Sequence, residues 1–405
     1  MADTALLEGI KVIDAASFIA GPAAATIMAD FGAEVIKIEP PGTGDTYRAR
    51  TAPDAPECDV NYAWLVDNRN KRSIELDLKT PAGREVLHQL VARSDVFVTN
   101  VPLPAREKLG VRYADLRAFN PRLIYASLTA YGEAGPDSDK TGFDSTALWA
   151  RTSLMAMARS GPDDPPVRSL PGMGDHPTAI SLFGAIMAGL FRRERTGSGS
   201  EVHTSLMANG VWWNSIQVQA MLCNAEYQVR PPRDAALNAL HNLYRSRDRR
   251  WFHVIAIPED KRWPTLAGAL QREDLIEDPR FAVRAQRHAN AQSLIGILDD
   301  IFAALDWEDI RPRLDRAGVA YGLVRGLRDV VEDEQMYRSD TLTPIDDPRA
   351  GASHLVNSPL WVSESPKRAP GLAPALGEHT EQVLRELGYD DAGLERLRAA
   401  GAIPG

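Results

Sequence analysis

The chain has 405 residues, 44% hydrophobic and 25% charged, an ordinary globular composition with room for two or three domains. A formal net charge of -9 excludes a polyanion-binding surface over the whole molecule, so nucleic acid is not an expected partner. Two cysteines, Cys58 and Cys223, form neither a disulfide framework nor a zinc site and fit a reducing compartment.

Met1-Ala2-Asp3-Thr4 carries an acid and no basic n-region, so no signal peptide is expected. Lys11-Val12-Ile13-Asp14-Ala15 predicts a strand, Gly21-Pro22 opens a helix over 23–31 that Gly32 closes, and 35–38 predicts a second strand. Two strands joined by one helix imply a parallel pair with a right-handed crossover. The pattern repeats: 74–78 is extended, Thr80-Pro81 caps a helix through Val91, and 95–100 and 123–128 read as strands. Alternating strands and helices argue an open, mostly parallel α/β sheet, with ligands beyond the carboxyl ends of its strands. Pro41-Gly42-Thr43-Gly44-Asp45 lacks the third glycine of a dinucleotide fingerprint and follows the second strand, so no nicotinamide or flavin site is expected.

Pro171-Gly172-Met173-Gly174-Asp175-His176-Pro177-Thr178 brings a carboxylate to the mouth of an apolar helix. Its glycines allow a sharp bend and close ligand approach, and Pro177 suits a first helical turn. The run at 180–191 is apolar nearly all round and predicts a buried helix, too short for the ~20 residues of a membrane span. Arg192, Arg193 and Arg195 suit its last turn, and Gly197 stops it. Asp175, at the positive end, reads either as a helix cap or as an ionised nucleophile. Beyond residue 205 the texture changes. A polar connector at 226–238 precedes a strand at 251–257, helical patterns over 260–316 and a strand at 318–324, a second, smaller α/β unit. Residues 340–370 read as another connector, and 378–400 as helical. The expected division is a large domain over 1–205, a linker at 206–230, a small domain over 231–330, a linker at 331–365 and a returning segment at 366–405. A cytoplasmic protein is expected.

Five segments in fixed order resemble the class III CoA-transferase family, which includes formyl-CoA and carnitine CoA-transferases and the α-methylacyl-CoA racemases. They are Gly21-Pro22 with Ala29-Asp30-Phe31-Gly32-Ala33-Glu34-Val35-Ile36-Lys37-Ile38-Glu39; Asn68-Arg69-Asn70-Lys71-Arg72-Ser73-Ile74-Glu75-Leu76-Asp77-Leu78-Lys79; Asn120-Pro121-Arg122-Leu123-Ile124-Tyr125-Ala126-Ser127; Arg192-Arg193-Glu194-Arg195-Thr196-Gly197-Ser198-Gly199; and Leu376-Gly377-Glu378-His379-Thr380. The resemblance implies a Rossmann-like large domain built from both ends of the chain, a smaller α/β domain and an interlocked homodimer. It places Asp175 on the family's catalytic aspartate, which forms acyl anhydride and aspartyl-CoA thioester intermediates without a metal. Coenzyme A then enters as part of substrate and product.

The same resemblance assigns CoA contacts to Ser17, Ala20, Lys71, Arg72, Asn100, Ala105 and Lys108, and puts Lys140 one residue from another. Pro40 stands where relatives carry an arginine against the adenine, and Ile19 replaces a glutamine of formyl-CoA transferase, which argues against the formyl/oxalate pair. Racemases carry a histidine before the acid that matches Asp144; here it is Phe143, which cannot exchange a proton. Asp144, Trp149 and Arg151 are then acyl- or acid-binding candidates for a bulky or aryl acid, with Trp212 and Trp213 either pocket wall, core or dimer interface. No glycine-rich flap is found at 231–250, which leaves Asn242 and Tyr244 as candidates to shield intermediates. The alternatives are a racemase or isomerase on the same fold, or a non-catalytic acyl-CoA-binding protein.

Overall fold

The computed structural model describes residues 5–49, 56–226 and 229–405. The Met1-Ala2-Asp3-Thr4 reading and residues 227–228 of the predicted 226–238 connector lie outside the described residues. The chain divides into two compact units. One comprises Met1–Met155, Arg168–Cys223 and Gln335–Gly405; the other comprises Ala156–Val167 and Asn224–Glu334.

The first unit holds a parallel six-stranded sheet of β1 (Lys11–Ala15), β2 (Glu34–Glu39), β3 (Arg72–Glu75), β4 (Val96–Thr99), β5 (Ile124–Thr129) and β6 (Ser200–Ser205). Its order is β3-β2-β1-β4-β5-β6, so the strand order reverses between β1 and β4. That reversal splays the loops leaving the two strands and opens a crevice at their carboxyl ends. The helices are α1 (Ala20–Asp30), α2 (Tyr62–Asn68), α3 (Pro81–Ala92), α4 (Leu103–Leu109), α5 (Tyr113–Leu116), α6 (Leu154–Met157) and α7 (Asp175–Thr196). Thr80 caps α3 through its side chain, accepting from Gly83 N–H at 3.0 Å, as its sequence predicts.

Strand alternation sorts the core onto two faces. Val12, Val96 and Val98 pack with α1 and with Leu182, Ile186 and Leu190 of α7. Ile13, Phe97 and Tyr125 pack on the other face with Leu87 and Leu90 of α3 and with Val383 and Leu394. Each such side chain contributes about 1.5–3 kcal/mol by leaving water. The expectation of a helix buried all round is corrected: α7 buries one face and leaves Phe191 65% exposed. Two short strands, β10 (Leu342–Pro344) and β11 (His354–Val356), pair antiparallel inside the predicted 340–370 connector.

The far edge of β3 is answered by the end of the chain. His379 N–H donates to Ser73 O at 2.9 Å, Ser73 N–H donates to His379 Nδ1 at 3.3 Å, and Glu75 N–H donates to Thr380 Oγ1 at 3.0 Å. The Leu376–Thr380 motif is thus an edge cover, which spares β3 the exposed polar row of an open sheet edge.

The second unit carries an antiparallel sheet of β7 (His241–Arg245), β8 (Trp251–Ile255) and β9 (Ala320–Leu323). Tyr244, Phe252, Trp263 and Phe302 form its core with helices Glu259–Ala269, Ala291–Ala303 and Trp307–Ala317.

Candidate active site

A cavity of about 650 Å³ opens at the carboxyl ends of β1, β4 and β5, entirely within the first unit. Ser17 to Ala20, Asn100 to Leu103, Leu128 to Ala130, Lys140 to Ser145, and Gly172 with Asp175 line it. The loop leaving β1 is tied at each peptide group. Ala16 N–H donates to Asp14 Oδ1, and Lys37 Nζ donates to Ala16 O. Asn100 clasps Ser17 from both sides: its Oδ1 accepts from Ser17 N–H at 2.8 Å, and its Nδ2 donates to Ser17 O at 2.7 Å. Phe18 N–H donates to Asp45 Oδ1 at 3.2 Å, and Phe18 itself lies in the left-handed region with φ +66°. Such a conformation costs a bulky residue on the order of 1–3 kcal/mol and persists only where surrounding contacts impose it. The held Phe18 ring meets Phe143 edge-on at 5.5 Å.

The opposite wall is the start of α7. Gly172 has φ +78°, which suits glycine, and the chain turns there. Gly174 occupies the cap position and Asp175 is the first helical residue, so the cap reading of Asp175 is corrected. A carboxylate there sits in the positive end of a 22-residue helix. Asp175 is partly exposed and reaches the cavity. Asp144 opens a π-helical stretch, Asp144–Ala150, a distortion frequent at functional sites. Its buried carboxylate accepts from Gly174 N–H at 3.3 Å and from Ser145 N–H at 2.6 Å.

Behind both walls runs a chain of charges, buried from Glu39 to Asp67 and ending at the ring of His176, which is 48% exposed. Arg48 holds Glu39 in two bonds of 2.6 and 2.7 Å, and Asp45 N–H donates to Glu39 at 3.0 Å. Lys37 lies 3.0 Å from Asp45 and 3.7 Å from Asp14, and Lys71 lies 2.8 Å from Asp14. Lys71 also donates to Asp67 O, whose carboxylate meets His176 Nε2 at 2.9 Å. Burial opposes the charge on Asp14, yet Lys37 and Lys71 hold its carboxyl below the usual range. Burial likewise opposes the charge on Lys37, and Asp14, Asp45 and Glu39 outweigh it. Sequence reading missed this chain. Its one signal was a charged residue, Asp14 or Lys37, at the centre of an apolar parallel strand, where charges are rarely left unpaired.

The family model of CoA-transferase family III matches residues 7–380. The chain belongs to this family. The CoA-transferase is 32% identical over 403 residues to the cinnamoyl-CoA:phenyllactate CoA-transferase of Clostridium sporogenes, covering 98% of this chain and 96% of that one. It is 30% identical over 402 residues to the (R)-2-hydroxy-4-methylpentanoate CoA-transferase of Clostridioides difficile, covering 98% and 99%. A CaiB/BaiF family protein from Brucella suis superposes with a TM-score of 0.83 at 27% identity, over 95% of this chain and 100% of that one.

The residues expected to bind in the CoA-transferase separate into groups. Ser17, Ala20, Asn100, Lys140, Asp144 and Asp175 meet at the cavity. Lys140 is 65% exposed and pairs with Asp137 at 2.6 Å. Ala105 and the exposed Lys108 follow on α4, whose first residue, Leu103, lines the cavity. Lys71 does not join them: it is buried, and its Nζ donates to Asp14, Asn68 and the carbonyls of Pro22 and Asp67, all within 2.8–2.9 Å. Burial pulls its pKa down to about 8, so the cation persists at neutral pH with no N–H left for a phosphate. Arg72 pairs with Glu34 and Glu386. Trp149 packs against the hydrophobic core, and Arg151 is exposed and pairs with Asp137 at 3.0 Å; neither lines the cavity. Trp212 is 75% exposed. Tyr244 is buried in the second unit's core, its hydroxyl donating to Ala239 O, and Asn242 Nδ2 donates to Arg233 O. Both side chains are committed to contacts inside that unit. Among the described residues no helix is long and apolar enough to cross a membrane.

Proposed function

We propose that this CoA-transferase moves CoA from an acyl-CoA donor to a free carboxylic acid through Asp175. The carboxylate attacks the donor thioester carbonyl and expels CoA thiolate, leaving a mixed anhydride on Asp175. The thiolate attacks the aspartyl carbonyl, the donor acid leaves, and an aspartyl-CoA thioester remains. The acceptor carboxylate then attacks that thioester and expels the thiolate, which takes the acyl group from the new anhydride and frees Asp175. Every step passes negative charge through a tetrahedral oxyanion, which backbone N–H groups at the starts of α1 and α7 would stabilise.

The observation that carries this reading is Asp175 itself: a partly exposed carboxylate at a helix N-terminus, on the wall of a 650 Å³ cavity. Phe18, Val101, Leu103, Leu128 and Phe143 give the cavity an apolar lining, which suits a bulky or aryl acceptor acid. The two relatives, named for phenyllactate and for a branched hydroxy acid, favour the same class. Ser17, Ala20 and Asn100 bound the CoA path, and Lys140 and Lys108 meet its phosphates. Exposed Trp212, Ile216 and Leu222 supply apolar area for an interlocked homodimer, and two free cysteines fit the cytoplasm.

Intact-mass and peptide mass spectrometry after incubation with an acyl-CoA panel and hydroxylamine tests the reading. The expected result is a hydroxamate at Asp175 only when acyl-CoA is present, and none in Asp175→Ala. Bound CoA with no adduct across the panel would overturn it.

A further inference from the structure

His176 follows the nucleophile directly, and its ring faces two groups that can only accept. Nδ1 lies 3.1 Å from Gly172 O and Nε2 lies 2.9 Å from Asp67 Oδ1. A neutral imidazole carries one N–H, so it would turn a lone pair toward one of these oxygens. Only the doubly protonated ring donates to both, adding to the His176 backbone N–H that Gly172 O also accepts at 3.1 Å. The charge balance of the buried chain agrees. Glu39, Asp45, Asp14 and Asp67 supply four carboxylates; Arg48, Lys37, Lys71 and His176 supply the four cations in contact with that chain.

We infer that His176, as an imidazolium strapping the Gly172 carbonyl to the Asp67 carboxylate, is a positioning residue that fixes the loop carrying Asp175. The inference deepens the proposed function and rests on Asp175 as the nucleophile. The loop is held from both flanks: Asp144 takes Gly174 N–H on one side, and His176 takes Gly172 O on the other. With Gly172 at φ +78° and glycines at two of four positions, the segment has little stiffness of its own. Misplacement on the order of 1 Å at a reacting group costs up to about 100-fold in rate.

The groups facing the ring are few. Asp67 approaches from α2, with Lys71 and Asp14 behind it, and Asp175 lies on the ring's own helix. Asp144 approaches the loop from the π-helical stretch. Packed along α7, α1 has one titratable side chain, Asp30, which Arg69 engages at 2.7 Å. Burial disfavours the charged ring, but the hydrogen bond and charge of Asp67, with Asp175 adding to them, raise the His176 pKa above its usual value. The strap is therefore present below that raised value and is lost as pH rises through it.

The test compares the whole wild-type enzyme with His176→Gln, whose amide can donate to Asp67 or to Gly172 but cannot bridge both as a cation. Expected are an alkaline limb in the kcat of wild type, its loss in the variant, and a fall in kcat of about tenfold or more with little change in KM for acyl-CoA. A variant that keeps both the rate and the alkaline limb overturns the strap. Should the variant fold poorly, NMR titration of ring-15N-histidine wild type decides instead. His176 titrating above about 6.5 supports the strap, and titration at or below that value overturns it. The hydroxylamine trap separates the two levels. No wild-type adduct at Asp175 removes the nucleophile and the strap together, while a normal adduct with an unaltered variant profile removes the strap alone.

Discussion

Replacing Lys71 with methionine distinguishes a buried cation from a phosphate ligand. The substitution keeps most of the side-chain volume and removes one charge. Asp14 then loses its 2.8 Å partner and keeps Lys37 at 3.7 Å and the Ala16 N–H at 3.1 Å, while the oxygens of Pro22, Asp67 and Asn68 lose their shared donor. Removing one partner of a buried pair costs about 3–5 kcal/mol. Lys37 still compensates Asp14 in part, which points to the lower end, about 3 kcal/mol. With a urea slope of about 2–3 kcal/mol per molar, the unfolding midpoint falls by about 1 M. The assay is urea unfolding followed by far-UV circular dichroism, with KM for acyl-CoA measured well below the midpoint. A phosphate ligand gives the opposite pattern: stability within about 0.5 kcal/mol of wild type and a raised KM. That pattern would refute the buried-cation reasoning.

Gly174→Ala should lower kcat and cost about 1–3 kcal/mol of stability, because the new Cβ would lie 2.9 Å from Asp144 Cβ and 3.0 Å from Leu148 Cδ1 in a packed wall. Gly174 has φ -93°, so backbone strain is no part of that cost, and a wild-type rate and midpoint in the variant would contradict it. His176 also links stability to pH. Its folded pKa is raised, so its contribution is complete below about pH 6.5 and disappears as pH rises through the folded value. The midpoint difference between wild type and His176→Gln should shrink toward alkaline pH; a constant difference would contradict the linkage.

The central strands were legible in the sequence because each is a short apolar run between a turn and a cap. β1, β2, β4 and β5 fall within a residue or two of their expected places. β3 begins two residues early, at Arg72 rather than Ile74, because pairing of Ile36 with Arg72 sets it and Ile-Glu-Leu-Asp-Leu alternation does not. β6 was invisible: Ser-Glu-Val-His-Thr-Ser lies on an edge with one half-exposed face and carries no apolar run. The placement of Asp175 at the mouth of a long helix, beside the cavity, was legible through its glycines. Lys71 was misread because a lysine beside an arginine looks the same whether it faces a phosphate or a carboxylate. The acid that decides, Asp14, stands 57 residues earlier.

The cover on β3 has a consequence for biogenesis. Ser73 and its covering partner His379 are 306 residues apart. At about 5–20 residues per second of synthesis, the β3 edge waits on the order of 15–60 s for its cover. Throughout that interval a nascent chain presents unpaired backbone groups to any neighbour on the same message. Dense ribosome loading therefore favours edge-to-edge pairing between copies, while slow initiation or chaperone capture of the emerging sheet protects yield.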